Sequence, residues 1–457
     1  MRVVLCAALV AATALAQPCP AAPAAPRGWN SWDADAGPVT EANILAAATW
    51  VRDNLLSFGF DTITIDGGWY SNLTSGGSIT DAYGLPMPDP ARFPSAAGGA
   101  GLLPLAKRVN AMGLKLGAWT IRGVTTEAFA ANLPIRGSAF SARDVGVAGA
   151  AAGCSWDPHI VGTNAPSAAA DAWYASLADH YVANGLEFVK VDCMLGDTQF
   201  PGHTWWYQGD VEAFAAAFAA RAPRVAISWS PGGDATPAAG AFLAARAPAW
   251  ARMYRVTPDF HDSNGPDRLT VQLETAAFFA PLIGVNGSYP DLDMLPFGEQ
   301  ADPPAPPRPN AYTPDEQRLI MTLWAIARAP LVLGAALPPA HPADLLALVA
   351  NAAVLDVNAR SCRNAPTPVL PGPGAANPHN VTGLYAWTAA APAGDATLVA
   401  LFNVRGAAAN VTAATGAGAA CVTDLWSGAR DGALDASGVI TRELPARSAG
   451  LWRAGAC

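Results

Sequence analysis

The sequence changes repeatedly between short apolar runs and longer stretches whose apolar residues recur at helical spacing, and eight such units precede residue 345. The short runs are rich in Val, Ile, Leu and Trp, which is typical of buried strands. Eight strand–helix units in one chain predict a closed barrel of parallel strands. The predicted strands are Gly28–Trp32, Thr62–Asp66, Leu114–Trp119, Glu187–Cys193, Arg224–Trp229, Ala251–Val256, Leu282–Val285 and Leu331–Gly334.

The pattern changes from about residue 353 onward. There the chain consists of short β-prone runs separated by turn residues, which is typical of antiparallel sheets. The expected fold class is therefore α/β, a (β/α)8 TIM barrel followed by a small antiparallel β-sandwich domain. The predicted division of the 457 residues is 1–16 for a signal peptide, 17–26 for a Pro/Ala-rich linker, 27–345 for the barrel and 353–457 for the β domain.

The first sixteen residues have the organisation of a secretory signal peptide. Arg2 precedes an apolar run from Val3 to Ala12, and the segment ends in Ala14-Leu15-Ala16. That run is too short to cross a bilayer, and no later stretch is long, uncharged and free of Gly and Pro. We therefore expect a protein without a membrane anchor that is secreted or enters the endomembrane lumen, which includes the cell wall, the extracellular space and the vacuole or lysosome.

Cysteines and glycosylation signals agree with export. Six cysteines remain when Cys6 leaves with the signal peptide, and an even set in an oxidising compartment predicts disulfides. Four Asn-x-Ser/Thr signals predict N-glycosylation. These signals are at Asn72, Asn286, Asn380 and Asn410.

The charge pattern limits the class of ligand. The formal net charge is -9, and only 14% of residues are charged, so the chain offers no basic patch for nucleic acid or an anionic membrane. No His, Cys and carboxylate cluster has metal-ligand spacing, and Gly-rich loops that bind phosphate are absent from the sequence. We expect a neutral ligand and no cofactor; the oligomeric state is left open.

Charged and aromatic residues occur where the predicted strands end, which is where parallel barrels carry their active sites. Lys190 and Asp192 lie two residues apart on one face of the fourth strand, although an isolated Lys-x-Asp also fits a structural ion pair. Several carboxylates beside aromatic side chains predict glycoside cleavage, in which one carboxylate attacks and another protonates the leaving oxygen. The residues predicted at the barrel mouth are Trp29, Asp66, Trp119, Lys190, Asp192, Arg255, Asp259, Asp291 and Asp293.

The motifs at these positions resemble those of the family 27 glycoside hydrolases, the α-galactosidase and α-N-acetylgalactosaminidase group. The resemblance extends from Arg27 to about Asn358, and this family also has a β domain behind its barrel. It rests on Gly28-Trp-Asn-Ser-Trp32, Ile65-Asp66 with Trp69, Gly113-Leu-Lys-Leu-Gly117, Lys190-Val-Asp192-Cys193, Arg255 to Asp259, Asp291-Leu-Asp-Met-Leu295, Leu323-Trp-Ala-Ile with Ala329-Pro-Leu331, and Val357-Asn358.

The resemblance implies double displacement with retention of configuration, with Asp192 as nucleophile and Asp259 as general acid/base. Lys190 and Arg255 are expected to keep Asp192 ionised, whereas Asp259 needs a less cationic or drier setting to hold a proton near neutrality. The resemblance also implies a disulfide between Cys154 and Cys193, and the other four cysteines are left unassigned. The residues that it assigns to substrate binding are Trp29, which is to stack on the sugar, Asp66, Trp119, Lys190, Arg255 and Met294.

The chain departs from the family pattern at two places. The family's Asp-Asp-Cys-Trp is Asp66-Gly67-Gly68-Trp69 here, so one pocket carboxylate is missing, and the region after the fifth strand is Trp229-Ser-Pro-Gly-Gly233. Because both catalytic carboxylates are present, we expect an active secreted retaining exo-glycosidase of the α-galactosidase type. Its expected substrates are terminal α-D-galactosides of oligosaccharides, polysaccharides or glycoconjugates. The open alternatives are a β-L-arabinopyranosidase, an α-N-acetylgalactosaminidase and a non-catalytic carbohydrate-binding protein.

Overall fold

A parallel barrel of eight strands forms the centre of the molecule and confirms the predicted TIM fold. The computed structural model describes residues 17–147, 153–154, 156–194, 207–230, 245–265, 267–302, 305–370 and 383–457. The barrel strands are β1 (Arg27–Asn30), β2 (Thr62–Ile65), β3 (Lys115–Ile121), β4 (Phe188–Asp192), β5 (Ala226–Ser230), β6 (Met253–Arg255), β7 (Tyr289–Asp291) and β8 (Leu331–Leu333).

Strand β8 closes the barrel, because it contacts β1 on one side and the segment that follows β7 on the other. Gly28 pairs with Thr62 on one side and Val332 on the other. A Cβ atom at Gly28 would lie 2.2 Å from the Thr62 carbonyl oxygen, so only glycine permits this approach of the strands. Leu295 bridges in parallel to Leu333 in β8, and its backbone N–H donates to the Val332 carbonyl at 2.8 Å.

Helices cover the outside of the barrel and begin at residues with local signals. The Thr313 side chain accepts from the backbone N–H of Glu316, whose carboxylate accepts from the Thr313 N–H, and Pro314 occupies the first helical turn. The helices are Trp32–Asp35, Glu41–Asn54, Leu103–Asn110, Thr126–Ala131, Ala142–Val145, Ala168–Ala183, Gln208–Arg221, Arg268–Phe279, Pro314–Ile326, Pro342–Val349 and Ala352–Arg360, together with residues 245–250. Short 3-10 helices are Leu56–Phe58, Pro94–Gly99, Asp262–Asn264, Ala280–Leu282 and Val285–Gly287.

An excursion between β3 and β4 builds one wall above the barrel. It contains an antiparallel sheet in which the third strand pairs with the other two. The strands of this sheet are Val124–Thr125, Gly146–Val147 and Ile160–Thr163. A further antiparallel pair lies between β7 and β8 and consists of Glu299–Asp302 and Ala305–Pro309.

The C-terminal part of the chain is an antiparallel β-sandwich, as predicted. Its two sheets enclose a core that includes Val399, Leu401, Val411, Val422 and Ile440. The larger sheet consists of Cys362–Thr367, Leu384–Ala390, Ala396–Asn403, Ala420–Asp424, Arg430–Leu434 and Ser448–Gly455, and the smaller one of Val369–Leu370, Ala409–Ala414 and Val439–Leu444.

Two predictions about chain segments need comment. The seventh strand was placed at Leu282–Val285, and this is wrong, because Gly284 and Gly287 take positive φ and turn that run into 3-10 helices. The seventh strand is instead Tyr289–Asp291. Helix Ala352–Arg360 occupies the start of the predicted β domain, and the domain boundaries stay predictions.

The segment of residues 17–26 packs along the molecule as an N-terminal strap. The carbonyl of Ala24 accepts from the Arg252 guanidinium at 2.6 Å, and the carbonyl of Pro26 accepts from the Leu331 N–H at 2.9 Å. Cys19 forms a disulfide with Cys362, which joins the strap to the first strand of the sandwich. A second disulfide, Cys421–Cys457, lies inside the sandwich.

No single helix in the described ranges is long and apolar enough to cross a membrane. Helices Pro342–Val349 and Ala352–Arg360 meet the length and composition criteria only as a pair, with a bend of 41° between them.

A buried polar junction joins the first strand to helix Ala352–Arg360. The Asn358 side-chain oxygen accepts from Nε and Nη2 of Arg27, at 3.3 and 3.1 Å. Its amide nitrogen donates to the carbonyls of Trp324 and Ala329, at 3.2 and 2.8 Å. Because Asn358 is fully buried, no water replaces these four hydrogen bonds.

Asn358→Ala is therefore expected to destabilise the protein by about 3 kcal/mol, since it removes two hydrogen bonds from the buried Arg27 guanidinium and one from each of two carbonyls. The measurement is urea denaturation at neutral pH. Asn54→Ala is the control, because the Asn54 amide makes one hydrogen bond, to the Trp50 carbonyl, and is expected to cost about 1 kcal/mol. Equal losses in the two variants would contradict a structural role for the junction.

Candidate active site

A cavity of about 510 Å³ opens at the C-terminal ends of the barrel strands. Its volume is in the range of small-molecule sites and accommodates a sugar ring with room to spare. Most of the predicted mouth residues line it, namely Asp66, Trp119, Lys190, Asp192, Arg255, Asp259, Asp293 and Met294. The lining also includes Trp32, Tyr70, Trp156, Asp157, His159, His261 and Arg268, which the sequence did not single out.

Lys190 and Asp66 form a buried ion pair at the cavity floor. The Lys190 ammonium lies 2.8 Å from Oδ2 of Asp66, which also accepts from the Asn30 amide at 2.6 Å. Burial acts to lower the pKa of Lys190, but the charges of Asp66 and Asp192 outweigh it and raise that pKa. The ammonium therefore stays charged and lies between two strand ends.

Asp192 is held from two sides at the end of β4. Its Oδ2 accepts from the indole N–H of Trp119 at 3.2 Å, and its Oδ1 accepts from the backbone N–H of Cys193 at 2.8 Å. Burial raises the pKa of this carboxyl, and the Lys190 charge and the two hydrogen bonds oppose that rise. Lys190 is thus the cation that opposes this rise and favours the ionised form of Asp192.

The loop after Asp192 is fastened twice. Cys193 forms a disulfide with Cys154, the pair that the family resemblance implied, and Cys193 takes a positive φ of 57°. The fully buried Arg122 donates from Nε to the Cys193 carbonyl at 3.1 Å and from Nη2 to the Gly153 carbonyl at 2.7 Å. A covalent bond and an arginine therefore hold the same two segments together next to Asp192.

Arg255 connects two carboxylates. Its Nη1 donates to Asp293 and its Nη2 to Asp259, both at 2.7 Å. Asp293 also accepts from the Phe260 N–H at 2.7 Å, so it is fully engaged in the floor of the site. In contrast, the side chain of Asp259 is 72% exposed at the rim.

The surroundings of Asp259 differ from the expectation. Partial burial acts to raise its pKa, but the charge and hydrogen bond of Arg255 outweigh this and lower the pKa to about 2. The expected less cationic or drier setting is wrong, because Asp259 is exposed and pairs with Arg255. Because Arg255 pairs with Asp259 and Asp293, it is also not the close neighbour that ionises Asp192.

Trp29 and Trp32, the two tryptophans of the first motif, lie in different surroundings. Trp29 is 1% exposed in the barrel interior, and its indole N–H donates to the Ala335 carbonyl at 2.7 Å. It does not line the mouth cavity, so the prediction that it stacks on the sugar is wrong. Trp32, which begins the helix after β1, is 39% exposed and lines the cavity. A single residue, Ser31, separates the strand from the helix here, and the sequence motif contains both tryptophans.

Gly67 leaves an open position between two aromatic rings. A Cβ atom there would lie 3.4 Å from the Trp32 ring and 3.8 Å from the Trp119 ring, which are ordinary contacts. The next residue differs, since Gly68 has a φ of 88° and a Cβ atom would lie 2.5 Å from the Gly37 carbonyl oxygen. A side chain is therefore tolerated at position 67 and excluded at position 68.

A histidine that no sequence motif marked lies at the cavity wall. His261 is 3.2 Å from the Asp33 carboxylate through Nδ1, and this hydrogen bond raises the pKa of His261. His159 also lines the cavity, whereas His203 lies outside the described residues. The two residues could not be singled out because isolated histidines carry no spacing signal.

Three of the predicted glycosylation signals lie in the described ranges, and none of these three asparagines lines the cavity. Asn286 and Asn410 are exposed, and Asn72 is half-buried, with its side-chain oxygen accepting from the Thr74 N–H at 3.0 Å. Asn380 is outside the described ranges. Glycosylation at these positions stays a prediction.

Within the described part of the chain, no group of three or more His, Cys, Asp or Glu residues is arranged to hold a metal ion. The charged groups at the mouth instead satisfy one another, as lysine and arginine pair with carboxylates.

Three relatives place the chain among known proteins, although no protein-family model matches it. The solved structure of a GH27 β-L-arabinopyranosidase from Geobacillus stearothermophilus is 28% identical and superimposes with a TM-score of 0.84 over 94% of this chain and 96% of that one. An α-N-acetylgalactosaminidase candidate from Bacillus halodurans C-125 is 26% identical, with a TM-score of 0.80 over 96% and 100%. "Probable alpha-galactosidase B" of Aspergillus clavatus is 28% identical over 75% of this chain and 69% of its own.

The barrel and the sandwich agree with the two solved relatives along nearly the whole chain, and the protein is a glycoside hydrolase. Within that class it is similar to family 27, to which the arabinopyranosidase belongs. The alignments with the curated relatives from Aspergillus clavatus and Neosartorya fischeri span about two thirds of their lengths, 69% and 66%.

A pH prediction follows from Asp291, which is buried at the end of β7. Burial raises its pKa to about 7, so the folded protein holds this proton up to a higher pH than the unfolded chain does. The stability from this group is fully present below about pH 4 and is lost as the pH rises through about 7. Asn imitates the protonated acid.

Because of Asp291, we expect the wild type to be about 2 kcal/mol less stable at pH 8 than at pH 5. Asp291→Asn should lack this difference, as measured by urea denaturation at both pH values. Asp53→Asn is the control, because Asp53 is exposed and its pKa is lowered by a hydrogen bond from Arg52. The same pH dependence in wild type and Asp291→Asn would show that Asp291 is ionised throughout this range.

Proposed function

We propose that the chain is a secreted retaining exo-glycosidase that removes terminal α-D-galactosyl groups by double displacement. The observation that carries this proposal is the position of two carboxylates on one cavity, Asp192 half-buried at its floor and Asp259 exposed at its rim. Two carboxylates in different surroundings on the same cavity suit two different tasks. The cavity ends at the barrel, which fits removal of a terminal sugar.

In the first step, the Asp192 carboxylate attacks the anomeric carbon as the bond to the leaving oxygen breaks, and Asp259 gives its proton to that oxygen. Lys190 favours the anionic form of Asp192 that attacks. Arg255 lowers the pKa of Asp259, so a bound sugar must take this carboxyl out of water and raise its pKa before it acts as an acid.

In the second step, water attacks the anomeric carbon of the glycosyl ester, Asp259 accepts a proton from this water, and Asp192 leaves as a carboxylate. The ion pair with Arg255 favours the charged form of Asp259, which is the form that this step requires. This ion pair therefore suits the second step directly.

Neutral sugars fit the rest of the cavity. Trp32 and Trp119 offer aromatic faces to the C–H faces of a ring, and the Lys190–Asp66 pair offers a donor and an acceptor to hydroxyl groups. We assign the stacking role to Trp32 in place of Trp29. Met294 forms part of the wall.

The proposed compartment is extracellular or lumenal. The three disulfides are of the kind that persists in oxidising surroundings, and the curated relatives are fungal enzymes named as α-galactosidases. The N-terminal sixteen residues, read as a signal peptide, support the same proposal.

The deciding experiment measures hydrolysis of nitrophenyl α-galactoside, α-N-acetylgalactosaminide and β-L-arabinopyranoside by the purified protein. Cleavage of the α-galactoside with galactose released in the α configuration supports the proposal. Release of the β anomer as first product would contradict retention, and lack of turnover on all three would contradict the proposed activity.

Asp192→Ala is expected to abolish turnover of every substrate, and Asp259→Ala to depend on the leaving group. In Asp259→Ala, kcat/KM for a disaccharide should fall about a thousandfold, because its leaving oxygen needs a proton. The value for a glycosyl fluoride should change little, because fluoride leaves without one. Equal losses on the two substrates would remove Asp259 from the acid role.

A second candidate activity is hydrolysis of β-L-arabinopyranosides, which Gly67 favours. Arabinopyranose has the ring configuration of galactose but no hydroxymethyl group at C5. In the family pattern a second aspartate stands where this chain has Gly67, and without it the hydroxymethyl group loses a partner. One solved relative of 28% identity is named as a β-L-arabinopyranosidase. We therefore expect cleavage of both sugars.

Gly67→Asp is expected to raise the ratio of kcat/KM for the α-galactoside over the β-L-arabinopyranoside by about tenfold or more, since one hydrogen bond to a charged group is restored. The position has room for a Cβ atom, so the fold tolerates the change. Gly67→Ala adds the Cβ atom without the carboxylate and should leave the ratio low. A wild-type ratio above a thousandfold would show that another residue binds the hydroxymethyl group.

A further inference from the structure

Trp156 is a large exposed aromatic side chain inside the catalytic cavity. It lies on the excursion between β3 and β4, it is 55% exposed, and it lines the cavity together with Asp157 and His159. An exposed aromatic face within a cavity is a surface on which a ligand can stack. The steps attributed to Asp192 and Asp259 make no use of it.

The position of Trp156 relative to the nucleophile is defined by contacts. Asp192 accepts from the Trp119 indole N–H at 3.2 Å, and the Trp119 ring centre is 6.4 Å from that of Trp156 at an angle of 49°. Trp119 is buried and Trp156 is exposed. The three residues thus lead from the floor of the cavity toward its opening.

The backbone on either side of Trp156 is anchored. Cys154 is joined to Cys193 by a disulfide, and Asp157 forms a bridge to Cys154 in which its N–H donates to the Cys154 carbonyl at 3.3 Å. The segment is thereby tied to the residue that follows Asp192. An anchored ring loses little conformational freedom when a ligand stacks on it.

We infer that Trp156 is the binding platform for the sugar on the leaving-group side of the scissile bond, a neutral hexopyranose. This inference rests on the proposed function, in which the terminal sugar lies over Asp192 and the departing sugar points to the opening. The apolar C–H face of a pyranose matches an indole face. The carboxylate of Asp157 and the ring of His159, which line the same wall, offer partners to its hydroxyl groups.

The test compares kcat/KM for melibiose, which has a sugar leaving group, with kcat/KM for α-galactosyl fluoride, which has none. The β-L-arabinopyranosyl analogues are used if the wild type prefers that sugar. Trp156→Ala should lower the disaccharide value about tenfold, mostly through KM, because stacking acts on bound substrate and transition state alike. The fluoride value should stay within about twofold, since this substrate does not reach Trp156.

Two matched variants complete the test. Trp156→Phe keeps an aromatic face and should recover most of the disaccharide activity. Phe278→Ala removes an aromatic side chain of nearly equal exposure, 54%, on helix Arg268–Phe279 outside the cavity, and should change neither substrate.

Equal losses on disaccharide and fluoride in Trp156→Ala would overturn the inference and give Trp156 a role in holding the site. Unchanged values for both substrates would overturn it as well and leave Trp156 a surface residue. In either case wild-type turnover of the fluoride keeps the proposed function intact. A wild-type protein that cleaves neither substrate fails the proposed function, and the inference falls with it.

Discussion

The arrangement of the barrel mouth depends on two buried cations. Lys190 and Arg255 have lost most of their contact with water, and a buried charge is tolerated only when other charges and hydrogen bonds replace that water. Asp66 and Asp293 provide this replacement, and each is fixed in turn by a backbone or amide donor. Asp259 alone is exposed and held from one side. The same pairs that make the buried cations tolerable leave one exposed carboxylate at the rim.

The sequence predicted the parts of this arrangement that depend on local pattern. Apolar runs ending in charge marked the strand ends of Asp66, Asp192 and Arg255, because a parallel barrel brings such ends together. The sequence did not predict the features that depend on neighbours in three dimensions. The sequence does not distinguish Trp29 from Trp32, and only the fold shows that one side chain points inward and the other outward. The pKa of Asp259 depends on an arginine whose side-chain direction no spacing specifies.

In the proposed function, recognition of the terminal sugar and of the leaving group is divided between different segments of the chain. The pocket for the terminal sugar lies at the C-terminal ends of the barrel strands, with Gly67 between the indole rings of Trp32 and Trp119. The wall near the opening comes from the excursion that carries Trp156. Trp119 contacts both Asp192 and Trp156, and the Cys154–Cys193 disulfide joins the same two segments.

The Cys19–Cys362 disulfide closes a loop of chain with a sequence separation of 343 residues, and all eight barrel strands lie inside this loop. The barrel is thus part of a covalent ring, with the sandwich attached outside it. A protease that cuts one exposed barrel loop opens the ring without producing two molecules, since the pieces remain linked through the strap. Proteolytic nicking of the barrel then resembles a circular permutation, because new chain ends arise within the barrel while its pieces stay covalently linked. Every strand keeps its neighbours.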